Sequence, residues 1–227
     1  MRNLILSGGV AHPYDETSAA LARILNEIGI RSEIDSSFAS VEDGGLLEFD
    51  LLTINCVRWT CNTTPGWYDE YHFEISEAAR QGFLAYLNSG GGVLAFHAAT
   101  ICFDDWPIFP KILGGYWDWE GSSSHLEYGE FAVAPTTINH PITCGLDGFN
   151  IVDELYINPR IVGEIEVLAT SEGDGVTHPI VWTNRFEGAR VVYDALGHDA
   201  VSFAQPVHRE LIKQAANWVI GSREAAE

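Results

Sequence analysis

Basic residues are scarce in this chain: 12 Lys and Arg stand against 32 Asp and Glu, a formal net charge of −20. A surface that acidic repels phosphate backbones and anionic headgroups, and no local Lys/Arg cluster offsets it. Nucleic acid and membrane surfaces are therefore not expected as partners. Long apolar runs are missing too. No stretch approaches the ~20 residues that span a bilayer, and the run Leu4-Ile5-Leu6 is ended at once by Ser7-Gly8-Gly9, which is not a secretory pattern. The four cysteines, Cys56, Cys61, Cys102 and Cys144, form no CxxC pair. That argues against a thiolate zinc site or a disulfide frame and predicts reduced thiols in a cytoplasmic protein. There is no P-loop, no GxGxxG opening a helix and no Gly-x-Ser-x-Gly elbow, so the common signals of nucleotide use and serine chemistry are absent.

What is present is enough apolar sequence, 46% of 227 residues, for one substantial core, and a single domain over 1–227 is expected. Residues 2–7 read as a strand. Thr17 to Ile28 has helical spacing, with Leu21, Ile24, Leu25 and Ile28 on one face and Gly29 as the stop. Strands at 31–34 and 49–55, a helix at 76–88 and a strand ending at His97 follow. This is the opening of a parallel, helix-covered α/β sheet. The stretch from Arg58 to Phe73 reads as a long functional loop. Further on, a short helix at 106–113, strands at 131–134, 154–157, 166–169, 179–183 and 190–195, and a closing helix at 207–220 are expected.

Chemistry concentrates where apolar strands run into histidines. Gly90-Gly91-Gly92-Val93-Leu94-Ala95-Phe96-His97-Ala98-Ala99-Thr100 is one such place, and Val191-Val192-Tyr193-Asp194-Ala195-Leu196-Gly197-His198-Asp199 is the second. Ligands of open α/β sheets bind at the carboxyl ends of strands, so both imidazoles are expected on one rim. His12, after the first strand, and His125, in a serine-rich loop, are candidates for the same rim. Imidazole titrates nearest neutrality, and a cluster of it suits proton transfer or metal binding. Glu154, in Val152-Asp153-Glu154-Leu155-Tyr156, is the carboxylate expected to face the cluster, and Asp199 can face it as well. His97 and His198 with one of His125, His12 or Glu154 would make an open three-ligand site for a divalent metal such as zinc, manganese or iron. No fixed ligand spacing such as His-x-x-x-His supports that set. His140 and His178 precede prolines and read as turn residues; His72 and His208 read as surface positions.

Several of these motifs together resemble the trehalose-utilisation (ThuA-like) family. The Gly-rich strand ending at His97, His140-Pro141-Ile142 with Gly145-Leu146, Asp153-Glu154-Leu155-Tyr156, Pro179-Ile180-Val181-Trp182-Thr183 and Gly188-Ala189-Arg190-Val191 through His198-Asp199 carry the likeness, in order, over almost the whole chain. The resemblance implies a flavodoxin-like three-layer α/β fold with a mostly parallel central sheet, of the class I glutamine amidotransferase-like superfamily. In amidotransferases the elbow holds a cysteine nucleophile; here His97 stands there, and Cys102 lies five residues on. Glutamine hydrolysis through a thioester is thereby excluded. The family implies sugar catabolism, including keto-sugar intermediates. The resemblance carries over His97, His125, Glu154 and His198 as the site, with His12 beside them. His97, His198 and Glu154 are expected to be the reactive groups and His12 and His125 to bind substrate; the residues themselves add Trp182 and Asp199 as substrate-binding candidates. Trp117 and Trp119 are further stacking candidates, and the loop Tyr116 to Trp119 could serve a homo-oligomer contact. Two readings stay open: an enzyme acting on a sugar or keto-sugar, or a non-catalytic sugar- or partner-binding module on a degenerate fold. Convergence of His97, His198 and Glu154 separates them.

Overall fold

A computed structural model describes residues 1–224. The first strands are β1 (Arg2–Gly8), β2 (Arg31–Asp35), β3 (Leu51–Cys56) and β4 (Gly92–Phe96). Short pairs follow in β5 (Gly115–Tyr116) and β6 (Ser124–His125), then β7 (Gly129–Pro135) and β8 (Phe149–Asp153). The strands close with β9 (Tyr156–Ile157), β10 (Arg160–Ile161), β11 (Glu166–Gly173), β12 (Val176–Phe186) and β13 (Ala189–Asp194). The helices are α1 (Tyr14–Asn26), the one-turn α2 (Ala39–Glu42) and α3 (Tyr68–Tyr71), α4 (Glu77–Asn88), α5 (Phe109–Leu113), α6 (Ala200–Ala204) and α7 (Pro206–Glu224). None of the described helices is long and apolar enough to cross a membrane.

Nine strands form the sheet in the order β2-β1-β3-β4-β13-β12-β11-β7-β8. The first five are mutually parallel, and each later neighbour is antiparallel. Alternation of direction means that β11 and β8 point the same way as the parallel block, so seven of the nine strands share one direction. β3 is buried at every residue, as a central strand covered on both faces must be. The chain steps from β1 to β2 on one side and from β3 to β4 on the other. Right-handed crossovers then put α1 and α4 on opposite faces, with a topological switch point between β1 and β3. α7 packs directly on β4. A Cβ at Gly92 would lie 2.7 Å from the Val219 carbonyl oxygen, so a side chain there would push the helix off.

Two register shifts in the β11–β12 pairing, around Val167, Ala169 and Thr170, bend this half of the sheet. The bend lets the end of edge strand β8 meet the turn after β13: the Gly197 N–H donates to Asp153 Oδ2 at 2.8 Å. The carboxyl ends of β1, β4, β8 and β13 thus share one rim.

Several expectations are corrected. Phe149–Asp153 is a strand although its pattern did not announce one, because its third inward position is the charged Asp153. Only Tyr156–Ile157 of 154–157 is extended, with Glu154 in the turn before it. The stretch 58–73 contains a 3-10 turn at Pro65–Trp67 and α3. His208 is not on the surface: it is fully buried, one turn before Leu211 and Ile212 on the inner face of α7, with Nε2 3.0 Å from Asp194 Oδ2. His72 is partly covered, its Nδ1 2.7 Å from the Thr60 carbonyl. His178 sits inside β12, not in a turn, its ring bridging the Asn158 N–H and the Gly173 carbonyl. His140 does shape a turn, accepting the Ile142 N–H at 3.1 Å.

Candidate functional site

β4 ends at His97, whose φ of +45° is a left-handed conformation costly for a residue with a Cβ. The turn throws the ring inward, where it is almost completely buried. His97 Nδ1–H donates to the Ala195 carbonyl at 2.7 Å, which leaves the Nε2 lone pair free. His12, in the loop between β1 and α1, is held in the same way. Its Nδ1 lies 3.2 Å from both the Val10 carbonyl and the Tyr14 hydroxyl. His198 follows the β13 turn. The three ring centroids lie 4.9 Å (His12 and His97), 4.8 Å (His12 and His198) and 5.5 Å (His97 and His198) apart.

Glu154 closes the group. Its Oε2 is 3.5 Å from His97 Nε2 and 3.4 Å from His198 Nδ1, and its Oε1 is 2.9 Å from His125 Nδ1. One ligand atom from each of His12, His97, Glu154 and His198 falls within 4.8 Å of the others. His12 Nε2, His97 Nε2 and His198 Nδ1 are buried without a hydrogen-bond partner. Orphaned buried nitrogens are costly unless something occupies the space between them. Two of the rings are also anchored through their second nitrogen, as metal-bound imidazoles are. The donor set therefore fits a divalent cation.

The electrostatics agree. Burial pushes His12 down to about 3, helped by the neighbouring His97 and His198, so this ring is neutral with its lone pair available. Burial alone would raise the Glu154 carboxyl, but contacts with His198 and His97 and the charge of His125 hold it well below the usual carboxylate range. Glu154 in turn raises His198, against the opposing effect of burial.

A cavity of about 350 Å³ opens above the cluster at the switch point. His12, His125, Glu154 and His198 form its polar end; Trp59, Trp67, Trp117, Trp119 and Tyr156 are its aromatic walls. No Lys, Arg or Cys lines it. Trp117 and Trp119 stand edge to face at 5.7 Å, and Tyr156 packs on His97 at 4.1 Å. Trp59 and Trp67 were hidden in a stretch without a motif, although two tryptophans in an otherwise polar loop are a signal in themselves.

Trp182, expected to touch substrate, does not line this cavity. It is fully buried against Tyr193, and its indole N–H donates to the Leu113 carbonyl at 2.8 Å. Position on an inner strand face, not residue type, decides this. Asp199 caps α6 through the Val201 and Ser202 N–H groups and accepts the Tyr128 hydroxyl, so it supports the rim without lining the cavity. His125 stays outside the four-donor group, at the mouth.

A family profile described as trehalose utilisation (ThuA) matches residues 2–219. The chain belongs to the ThuA family. Solved structures similar to this ThuA-family chain include a ThuA-like protein from Parabacteroides merdae, with a TM-score of 0.78 at 22% identity over 97% of this chain and 90% of that one. A second, from Bacteroides uniformis, has a TM-score of 0.72 at 22% identity over 96% and 91%. A glutamine amidotransferase from Thermotoga maritima has a TM-score of 0.57 at 11% identity over 97% and 98%. At these identities the likeness establishes the fold. No curated protein matches the chain.

Proposed function

We propose that this ThuA-family protein is an enzyme of carbohydrate catabolism that acts on an uncharged sugar or keto-sugar derivative. His12, His97, His198 and Glu154 would hold a divalent metal at the floor of its aromatic cavity. The observation that carries the reading is the convergence of three buried imidazole nitrogens that make no hydrogen bond, two of them only 3.4–3.5 Å from one carboxylate oxygen. A core assembled only for stability would not leave three such nitrogens without a hydrogen bond.

A metal ion bound there supplies a Lewis acid toward a carbonyl or hydroxyl oxygen. The chain's own groups do the rest. The aromatic walls offer flat faces to the C–H surfaces of a sugar ring, and Ile101 excludes water beside them. The cavity carries a carboxylate and no Lys or Arg to meet a phosphate or sugar acid, so Glu154 selects against anionic substrates. His125, half exposed at the cavity mouth and 2.9 Å from Glu154, would exchange a proton between substrate and solvent. The Nδ1 bonds of His97 and His12 fix which ring nitrogen of each faces the four-donor cluster.

The test is elemental analysis of tag-free protein by plasma mass spectrometry, with His97→Ala and His198→Ala alongside, followed by a turnover screen of keto-sugars. Near-stoichiometric zinc, manganese or iron, lost in both variants, supports the proposal. A wild-type protein that takes up no metal even when divalent ions are added back rejects it in favour of metal-free chemistry or simple binding.

A further inference from the structure

Asp153 lies outside the four-donor group, yet it is fully buried at the end of β8 and both its carboxylate oxygens accept backbone N–H groups. Oδ1 accepts the Glu154 N–H at 2.7 Å and the His198 N–H at 3.2 Å; Oδ2 accepts the Gly197 N–H at 2.8 Å. One carboxylate oxygen is therefore shared between the backbone amides of the two residues whose side chains meet at 3.4 Å in the site. These two residues come from strand ends at opposite sides of the bent half-sheet.

We infer that Asp153 is the positioning residue of the site: it locks the Glu154 turn to the His198 turn and so sets the spacing of the Glu154 and His198 ligand atoms. The inference rests on the proposed reading of the site as a metal centre. An amide would not serve, because three N–H donors need two acceptor oxygens, and an Asn NH2 would face one of those donors. The Gly197 backbone is fitted to this arrangement. Its φ is +119°, and a Cβ there would come within 2.7 Å of the Phe203 ring, so the peptide that aims its N–H at Asp153 tolerates only glycine. Asp194, by contrast, holds only its own turn. It accepts the Leu196 N–H at 3.0 Å and pairs with His208, touching neither Glu154 nor its turn.

That difference provides the control. Asp153→Asn and His208→Gln both weaken buried networks around the β13 turn, but only the first breaks the bridge between the two ligand-bearing turns. Co2+ is titrated into apo wild type and both variants, with the affinity and the visible ligand-field spectrum as readouts. Asp153→Asn is expected to weaken Co2+ binding about 10–100-fold, the range for loss of an outer-shell support, and to alter the spectrum. His208→Gln keeps the wild-type spectrum and affinity despite its lost stability. Wild-type affinity in Asp153→Asn, or an equal loss in His208→Gln, overturns the inference.

If wild type binds no Co2+, the metal reading has failed by itself. Asp153 is then judged on the crystal structure of metal-free Asp153→Asn. Glu154 and His198 parted beyond the ~4 Å of an ion pair uphold the positioning role, and an unchanged contact overturns it. Should Asp153→Asn not fold, Asp153→Ser takes its place in the same measurements. Two variants that both fail to fold make Asp153 a folding residue only and overturn the inference.

Discussion

Replacing His97 by glycine and by alanine gives a matched pair. Both lose the imidazole, and with it the Nε2 in the cluster, the Nδ1–H bond to the Ala195 carbonyl and the ring packed on Tyr156. Those common losses come to about 2–4 kcal/mol of stability and cancel between the two variants. What remains is the backbone at φ +45°. Alanine in the left-handed region costs about 1–2 kcal/mol that glycine does not. The greater unfolded-state entropy of glycine returns about 0.4–1 kcal/mol to alanine. His97→Gly should therefore be more stable than His97→Ala by about 0.5–1 kcal/mol, a reversal of the usual order, while neither variant retains metal. Urea unfolding in chelator measures the first, and calorimetric Zn2+ titration the second. Alanine equal to or more stable than glycine would refute the strained elbow. Metal bound with wild-type affinity by both would remove His97 from the ligand set.

Three further outcomes follow from the same contacts. In metal-free protein, His12 has a folded-state value of about 3 against an ordinary 6.5, so the unfolded chain takes up the proton first as pH falls. The contribution of His12 to stability is complete above pH 6.5 and is lost towards pH 3, by up to about 5 kcal/mol, and His12→Gln flattens that slope in a series of denaturant midpoints. Trp117→Ala should weaken binding of an uncharged sugar about 5–30-fold, from ~1–2 kcal/mol of lost ring contact, in a titration at constant pH. Trp182→Ala should instead cost about 3–5 kcal/mol of stability, with affinity kept in whatever fraction folds. His208→Ala leaves Asp194 buried without its cation and should cost about 3–5 kcal/mol. Burial opposes protonation of His208, but Asp194 raises it overall. The stability from this pair is therefore full below pH 6.5 and is lost as pH rises through the raised value.

The first half of the fold was legible because strand, amphipathic helix and glycine stop follow each other with little tertiary interference; α1 and α4 lie within a few residues of their expected bounds. His97, His198, Glu154 and His12 were legible for a topological reason: residues just past parallel strands have nowhere to go but the common rim. The failures share one cause, which is that residue type alone does not give burial. An inward Asp at position 153 broke the apolar alternation of β8 and hid both the strand and its own role. Trp182, fully buried, and Trp67, exposed at the cavity wall, are the same residue in opposite environments. For His208 the signal existed, since it precedes Leu211 and Ile212 by one helical turn, but a histidine near a helix start is ordinarily counted as solvated.

The amidotransferase-like fold makes the position of the thiols decisive for the chemistry. Cys56 and Cys102 face each other behind the elbow, Sγ to Sγ 3.8 Å, and Cys102 also donates to the Cys56 carbonyl. Burial pushes the Cys102 thiol well up, so it is a poor source of thiolate. Cys61 is buried with its thiol on the Trp59 carbonyl, and Cys144 is exposed away from the cavity. No thiol reaches the space above His97, and no serine lines it. The elbow that presents a nucleophile in an amidotransferase here presents a lone pair, fixed by Ala195 and facing a carboxylate and two further imidazoles. On the proposed reading, the site would polarise an oxygen through a bound metal and move a proton, the two operations that chemistry beside a sugar carbonyl requires.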